Sequence, residues 1–318
     1  MDKLLDSTLS ALKNCLNVGK KDDVLIITDE PERKIGLAFF ETAKGLCNEV
    51  VLVEIKPRSS NGAEPPKQIA EMMKKFSVVI CPTSRSLTHT AARRNACKAG
   101  ARAVTLPGIL EDTAIRTLGS DYAKIAILTN KLAGLLSKAS VATLTTPAGT
   151  NLTMSLKGRE GHPDTGLVFK PGEFSNLPAG EAYTAPVEGA TEGILVIDGA
   201  MAGLGILSAP LSLKIEKGYV TKISGIEQDT KRLEELIAPF GKPARNVAEL
   251  GIGTNPGARL IGSVLEDEKV LGTVHVAIGD NKSMGGKVSV QSHLDGILRD
   301  PTLYLDKKLI MKNGSLVV

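Results

Sequence analysis

The sequence predicts an α/β protein of two domains, a parallel-sheet domain followed by a β-rich α+β domain. Up to about residue 140, short apolar runs rich in β-branched residues alternate with helical patterns. Beyond that point, most segments are short strands broken by Gly and Pro. A chain of 318 residues is long enough for two cores. We therefore expect domains at residues 1–140 and 141–318.

The first half begins with a helical pattern of leucines between Leu4 and Leu16, which predicts a surface helix. Four strand-like runs follow, at residues 24–29, 50–55, 77–83 and 101–108. The segments between these runs, which start near residues 32, 66 and 88, have helical periodicity. Strands that alternate with helices typically form a parallel sheet with helices on both faces. The first domain is therefore predicted to be Rossmann-like.

The second half contains two strong hairpin signals. Alternating residues flank Pro147-Ala148-Gly149 in the first, and Lys217-Gly218 lies between two strand patterns in the second. One helix interrupts the strands, with Asp229 as its expected N-cap and Gly241 as its stop. This domain is predicted to be mostly antiparallel.

Composition excludes several classes of protein. No apolar run approaches the roughly 18 to 20 residues of a membrane span, so we expect no membrane partner. The amphipathic N-terminus is too polar for a secretion signal, which favours a cytoplasmic protein. With 3% aromatic residues and no Trp, the chain has little material for base stacking, so nucleic acid is not an expected partner. The four cysteines form no C-x-x-C pair and are expected to be free thiols.

Two histidines of the second half lie in strand patterns that could bind a metal ion. His293 and Asp295 are two residues apart, so on a strand they point to the same side. His275 lies in the strand pattern "GTVHVAIG". Each also has an ordinary explanation, since a lone strand histidine is often a hydrogen-bonded core group and an Asp before Gly often caps a turn.

Two glutamates strengthen the metal hypothesis. Glu249 is flanked by apolar residues, and a carboxylate in such company must be paired, protonated or bound to metal. Glu181 follows a Pro-Ala-Gly turn that places it at the start of a strand. Zinc, manganese, iron and cobalt all accept such nitrogen and oxygen ligands.

Four motifs occur in the order found in the thermophilic aminopeptidases, the aminopeptidase T or M29 family. They are "NLPAGEAYTAP", "AELGIGTNP", "LEDEKVLGTVHVAIGDN" and "SHLD", and the resemblance covers roughly residues 170–318. It implies a homodimeric, leucyl aminopeptidase-like metalloprotease that hydrolyses the N-terminal bond of a peptide. It also implies two divalent ions (Zn, Co or Mn) in a centre whose bridging carboxylate is Glu249. The implied ligands are Glu181, Glu249, His275, His293 and Asp295.

The motif "DEK" supplies a candidate catalytic base, Glu268, for the hydrolytic water, although a surface position in the charged run is an equal alternative. The sequence departs from the family twice, with "DEK" in place of "DEN" and "AIGDN" where a tyrosine is expected. Two alternatives follow. One is a ring-cleaving dioxygenase of the same fold, with a small-molecule substrate and one iron(II) held by His275, His293 and Asp295. The other is an inactive metal-binding relative.

Overall fold

The computed structural model of the protein describes residues 2–318 and confirms the predicted fold class. The helices are α1 (Lys3–Ser10), α2 (Arg33–Ala43), α3 (Lys67–Met73), α4 (Ala91–Lys98), α5 (Glu111–Thr117), α6 (Tyr122–Lys138), α7 (Glu227–Ile237) and α8 (Val264–Asp267). The strands of the first half are β1 (Asp23–Asp29), β2 (Glu49–Ile55), β3 (Val78–Cys81) and β4 (Arg102–Thr105). The remaining strands are β5 (Val141–Thr145), β6 (Asn151–Ser155), β7 (His162–Asp164), β8 (Phe174–Asn176), β9 (Glu181–Thr184), β10 (Thr191–Ile197), β11 (Ala200–Met201), β12 (Gly205–Ile206), β13 (Leu211–Glu216), β14 (Tyr219–Ser224), β15 (Val247–Gly253), β16 (Val274–Gly279), β17 (His293–Leu298), β18 (Thr302–Leu305), β19 (Lys308–Lys312) and β20 (Ser315–Leu316).

The first compact unit contains a five-stranded sheet in the order β2-β1-β3-β4-β8. Every neighbouring pair in this sheet is parallel. Residues 24–27 of β1 are fully buried, as expected for a central parallel strand covered on both faces. On one face, Leu25 and Val79 pack against Ala92 and Ala96 of α4. All four cysteines of the chain are buried and unpaired, as the sequence predicts.

The division into units differs from the expected boundary at residue 140. The first unit runs to Ala126, within α6, and also takes up Thr165–Ala179. The second unit comprises Ile127–Asp164 and Gly180–Val318. The returning segment belongs to the first unit because it supplies β8, which pairs with β4 through Ala103 and Phe174. A strand of three residues carries too little pattern to reveal this return from sequence.

The second unit contains two antiparallel sheets. The eight-stranded sheet has the order β14-β13-β10-β6-β5-β18-β19-β20, and the seven-stranded sheet has the order β12-β11-β17-β16-β15-β9-β7. One buried core joins them, with Leu195 and Leu213 from the eight-stranded sheet and Leu250, Ile252 and Val276 from the seven-stranded sheet. Each sheet therefore places one of its faces on a common apolar core.

Both predicted hairpins are present. Strands β5 and β6 flank residues 146–150, and β13 joins β14 through Lys217 and Gly218, whose positive φ angles of 49° and 75° suit a tight hairpin turn. The cap expected at Asp229 is wrong, because α7 begins at Glu227 and its N-cap is Ile226. Within residues 2–318, no helix is long and apolar enough to cross a membrane.

Candidate metal centre

The five predicted ligands lie on one face of the seven-stranded sheet, opposite the core. Along β15, Leu250 and Ile252 point into the core, so Glu249 and Gly251 point to the other face. Cross-strand pairing extends this face through four strands. Its pairs are Gly253–Glu181, Gly251–His275, Glu249–Ala277, Ala277–Asp295 and Gly279–His293.

A β-bulge adjusts the start of β15. Val247 pairs with Ile278, whereas Glu249 pairs with the preceding residue of β16, Ala277, so Ala248 is the extra residue. Without the bulge, Val247 and Glu249 would share a face. The bulge lets Val247 join the core while Glu249 keeps its place on the opposite face.

The ligand atoms form two adjacent groups that share Glu249. We call Glu181, Glu249 and His275 the inner group and Glu249, His293 and Asp295 the outer group; in each, the ligand atoms lie within 4.8 Å of one another. All members of the inner group are buried, whereas the His293 side chain of the outer group is 30% exposed. The outer group is therefore the half of the centre that solvent can reach.

The distances show how Glu249 joins the groups. In the inner group, His275 Nε2 lies 3.1 Å from Glu181 Oε2 and 3.4 Å from Glu249 Oε1. In the outer group, His293 Nε2 lies 3.1 Å from Glu249 Oε2 and 3.4 Å from Asp295 Oδ1. Each imidazole therefore faces two carboxylates, and Glu249 offers one oxygen to each group.

Gly251 makes the room that the His275 ring needs. A Cβ at position 251 would lie 1.9 Å from His275 Nε2, closer than any non-bonded contact allows. The residue opposite His275 on this face must therefore lack a side chain. Steric crowding by the His275 ring therefore explains why the first glycine of the motif "AELGIG", Gly251, stands at this position.

The two histidines differ in how their second ring nitrogen is held. His293 Nδ1 lies 2.8 Å from the carbonyl oxygen of Asp280. A carbonyl can only accept, so Nδ1 carries the hydrogen and Nε2 faces the carboxylates. His275 Nδ1 is buried and has no hydrogen-bond partner within residues 2–318. Metal-bound histidines almost always have such a partner, so the outer group has the support expected of a metal site and the inner group lacks it.

The carboxylates of the centre favour a positive charge on each imidazole. Burial alone would raise the pKa of Glu249, but hydrogen bonds and charge from His275 and His293 lower it below its ordinary range. Burial alone would lower the pKa of both histidines, but the facing carboxylates hold each one well above 6.5. A proton or a metal ion on Nε2 would supply that charge. The nitrogen and oxygen donors fit a divalent transition metal.

Lys269 was not among the sequence-predicted site residues, yet its ammonium group lies at the inner group. The side chain is 2% exposed, and its Nζ lies 2.5 Å from Glu181 Oε1, 2.8 Å from Glu268 Oε1 and 3.3 Å from Asp164 Oδ2. Asp164 was also missed, and it reaches this position because β7 pairs Asp164 with Glu181. The only signal for Lys269 in the sequence was that the motif reads "DEK" where the aminopeptidases have "DEN".

Glu268 lies outside both ligand groups, beside Lys269, and its side chain is 18% exposed. Burial raises its pKa to about 8, with the charges of Glu181 and Asp295 adding to the effect and that of Lys269 opposing it. Glu266 and Asp267 are fully buried and accept hydrogen bonds from the backbone N–H groups of Arg259 and Ile261. The acidic run therefore has a structural role.

Another histidine of the chain, His162, lies in strand β7 beside the inner group's Glu181 strand. Its ring packs at a tilt of 33° against Tyr183, with 5.4 Å between centroids, and its Nε2 is buried. Tyr183 points to the same face as Glu181, and burial raises its pKa. His162 is in neither ligand group.

A family model, a sequence relative and a solved structure carry the same dioxygenase name. Residues 3–318 match the family model described as NicX, 2,5-dihydroxypyridine 5,6-dioxygenase. The 2,5-dihydroxypyridine 5,6-dioxygenase of Pseudomonas putida KT2440 is 27% identical over 252 residues, which cover 73% of this chain and 69% of that protein. The solved 2,5-dihydroxypyridine dioxygenase of P. putida KT2440 has a TM-score of 0.84 at 21% identity, over 99% of this chain and 97% of its own. AmpT from Thermus thermophilus has a TM-score of 0.72 at 17% identity, over 99% of each chain.

These findings overturn the aminopeptidase prediction. The likeness to AmpT concerns the fold alone, whereas the family model and the sequence relative both carry the dioxygenase name. The expected M29 membership, and with it a hydrolase or metalloprotease activity, is wrong, and the enzyme class indicated is an oxidoreductase. The error has a physical reason: the quoted motifs build the strands and the donor set, and neither determines which reaction a bound metal performs.

Proposed function

Because the chain belongs to the NicX family, whose model matches residues 3–318, we propose that it is an iron(II)-dependent dioxygenase that opens the ring of a dihydroxypyridine. The observation that carries the proposal is the outer group, in which Glu249, His293 and Asp295 converge and the His293 side chain is 30% exposed. One imidazole and two carboxylates suit iron(II), which binds nitrogen and oxygen ligands. Bound there, a ferrous ion would mediate the transfer of electrons from the aromatic ring to dioxygen.

The proposed ligand set differs from the one expected for a dioxygenase from sequence, which had His275 in place of Glu249. His275 Nε2 lies against Glu181 and Glu249 and groups with them. Its role would be to orient the Glu249 carboxylate through Oε1, leaving Oε2 for the ion. His293 would be fixed for binding by its Nδ1–H bond to the Asp280 carbonyl.

Glu268 would accept the proton of a substrate hydroxyl group and later return it. A dihydroxypyridine becomes a better electron donor when a ring hydroxyl loses its proton, so a nearby acceptor assists the reaction. A carboxyl group whose pKa is about 8 can both take and return a proton near neutral pH. The proton would move to a carboxylate oxygen of Glu268, close to the Lys269 ammonium group that holds this side chain. In the overall reaction both oxygen atoms of one dioxygen enter the product and the bond between ring carbons 5 and 6 breaks.

The first prediction tests this activity directly. Protein loaded with iron(II) under anaerobic conditions should consume one dioxygen per molecule of 2,5-dihydroxypyridine, with loss of the aromatic absorbance and incorporation of two labelled oxygen atoms from ¹⁸O₂. His293→Ala should lose at least about 100-fold of this activity, because the outer group loses its only nitrogen donor.

His162→Ala is the matched control, since His162 is a half-buried histidine of the same sheet outside both ligand groups. It should keep activity within about tenfold of the wild type. Failure of the iron-loaded protein to consume dioxygen with 2,5-dihydroxypyridine or any of its positional isomers would rule out the proposed activity.

A further inference from the structure

The β16–β17 loop, residues 280–292, connects the strand of His275 to the strand that begins with His293. Its first residue supplies the carbonyl oxygen that accepts the Nδ1–H of His293. We infer that Glu188, which lies outside this loop, is a positioning residue that fixes the loop and thereby orients the His293 imidazole. The inference deepens the proposed function and rests on it only for the premise that His293 binds a metal ion.

Asn281 organises the loop from within and is fully buried. Its side-chain oxygen accepts the N–H of Val288 at 2.9 Å, and its own N–H donates to the Val288 carbonyl oxygen at 3.1 Å. Its carbonyl oxygen accepts the N–H groups of Met284 and Gly286 at 3.1 Å and 2.9 Å. A Cβ at position 286 would lie 2.1 Å from the Asn281 side chain, so the backbone can close around this residue only with glycine there. One asparagine therefore defines the turn between residues 281 and 288.

Glu188 holds this turn from the connection between β9 and β10. Its Oε1 accepts the side-chain N–H of Asn281 at 2.9 Å and the backbone N–H of Lys287 at 2.7 Å. Its Oε2 accepts from Arg159, which also donates to the carbonyl oxygen of Gly285. The Arg159 and Glu188 side chains are only 10% and 17% exposed, so water competes little for these bonds. Hydrogen bonds to a charged group are about twice as strong as those between neutral groups, and here all of them act on one turn.

The turn is connected to His293 through Asp280. Asp280 directly precedes Asn281, and its N–H donates to the carbonyl oxygen of Ser292 at 2.7 Å. Its Oδ1 accepts the N–H of Val290 at 3.1 Å. These bonds close the two ends of the loop on each other immediately before His293. A loosened turn would therefore let the Asp280 carbonyl oxygen move, and the imidazole would lose the acceptor that fixes its orientation.

The second prediction concerns Glu188→Ala. The variant lacks the acceptor of Asn281, Lys287 and Arg159, so the affinity for zinc(II) should fall about tenfold, the lower end of the range for residues that support a metal ligand. Competition with a chromogenic chelator measures this affinity, and a thermal melt of the chelated protein shows whether the fold is intact. A purely structural role would lower the melting temperature of the chelated protein and leave the zinc affinity unchanged.

A spectroscopic measurement follows the His293 ring itself. The chain has four histidines, so protein labelled with ¹⁵N in histidine gives a simple spectrum, in which His293→Ala identifies the His293 signals. In the zinc-loaded wild type, the Nδ1–H should exchange slowly with water, because the Asp280 carbonyl oxygen accepts it. Glu188→Ala should accelerate this exchange at least about tenfold, because the loop opens more often.

Glu192→Ala is the matched control. Glu192 is also a carboxylate that accepts the backbone N–H of a turn, that of Lys217 at 2.9 Å, but it lies on the eight-stranded sheet. The control should keep the zinc affinity and the exchange rate of the wild type.

Glu188→Gln serves if the alanine variant does not fold. Its amide sets an NH₂ group against a donor whichever way it turns, so both quantities should shift in the same direction by a smaller factor. An unchanged zinc affinity or an unchanged exchange rate in a folded Glu188 variant, an equal loss in Glu192→Ala, or a wild type that binds no zinc would overturn the inference. Zinc binding needs neither dioxygen nor substrate, so a protein that failed the dioxygenase assay could still pass this test.

Discussion

The two sheets of the second unit share one core and differ in their outer faces. On the eight-stranded sheet, the outer face is exposed to solvent. Its charged side chains form exposed ion pairs such as Lys214 with Glu216, whose side chains are 57% and 49% exposed. On the seven-stranded sheet, the outer face buries Glu249, His275 and Lys269 at 5% exposure or less. The same alternation of side chains thus produces an ordinary sandwich face in one sheet and a charged interior in the other.

The contrast between the two outer faces shows which charged groups contribute to stability. An exposed pair such as Lys214–Glu216 contributes little to stability, because water solvates both partners when they separate. On the buried face, removal of one charged group leaves its partners without a counter-charge, and water does not reach them to solvate the remaining charge. Equivalent substitutions on the two sheets should therefore have unequal effects.

The third prediction compares the same substitution on both sheets and has the largest expected effect. Glu249→Gln removes the carboxylate charge shared by the two groups, so metal affinity should fall at least about 100-fold and the metal-induced rise in melting temperature should disappear. Glu216→Gln, on the eight-stranded sheet, should change neither. Thermal melts with and without chelator measure both variants, and equal losses in the two would contradict the contrast between the faces.

The fourth prediction tests whether the buried face is as tightly packed as a core. Gly251→Ala would place a Cβ at 1.9 Å from His275 Nε2, so the ring must move. We expect a loss of about 1 to 3 kcal/mol in the free energy of unfolding, as for overpacked cores, together with weaker metal binding. Gly134→Ala is the control, because no atom lies within 4 Å of its added Cβ in helix α6, and it should be neutral or stabilising. Chemical denaturation measures the free energy of unfolding of both variants. A Gly251→Ala protein that is stable and binds metal would show that the His275 ring has freedom to move.

The fifth prediction concerns pH, with the smallest expected effect. The raised pKa of His275 and His293 stabilises the metal-free fold below pH 6.5, and this contribution is lost as the pH rises through the raised values. The lowered pKa of Glu249 acts in the other direction, since its contribution is present above pH 4.5 and is lost as the pH falls. A metal ion competes with protons for the same Nε2 atoms, so its binding strengthens with rising pH.

The gap between the melting temperatures of metal-loaded and chelated protein should therefore widen from roughly pH 6 to pH 8. Calorimetry in buffers of different ionisation enthalpy should show protons released on metal binding. A constant gap with no proton release would mean that the ion does not displace protons from these imidazoles.

Sequence patterns predicted most of the fold and the residues that meet on the buried face. The runs at residues 24–29 and 50–55 became β1 and β2, because period and β-branched content are local properties. His293 and Asp295 share a strand face, as their spacing predicts. Whether they bind metal stays a prediction, as does the homodimer.

What the sequence could not show depends on distant pairing. Lys269 and Asp164 gain their significance only when β7 and β9 place Asp164 beside Glu181, and a lysine after an acidic run otherwise resembles a surface residue. The sequence offered the ring-cleaving dioxygenase only as an alternative to the aminopeptidase and could not choose between them, because the motifs describe a donor set that related enzymes use for different chemistry. The family was decided by a match over residues 3–318.

The return of Thr165–Ala179 to the first unit has a consequence for biosynthesis. A ribosome makes β1 to β4 first, then β5 to β7 of the second unit, and only afterwards β8, which pairs with β4. Until residues 174–176 emerge, β4 is an open edge strand, the kind of surface on which nascent chains associate. A fragment that ended at residue 140 would keep that edge permanently exposed, so expression of the first unit alone requires that the returning segment be grafted back.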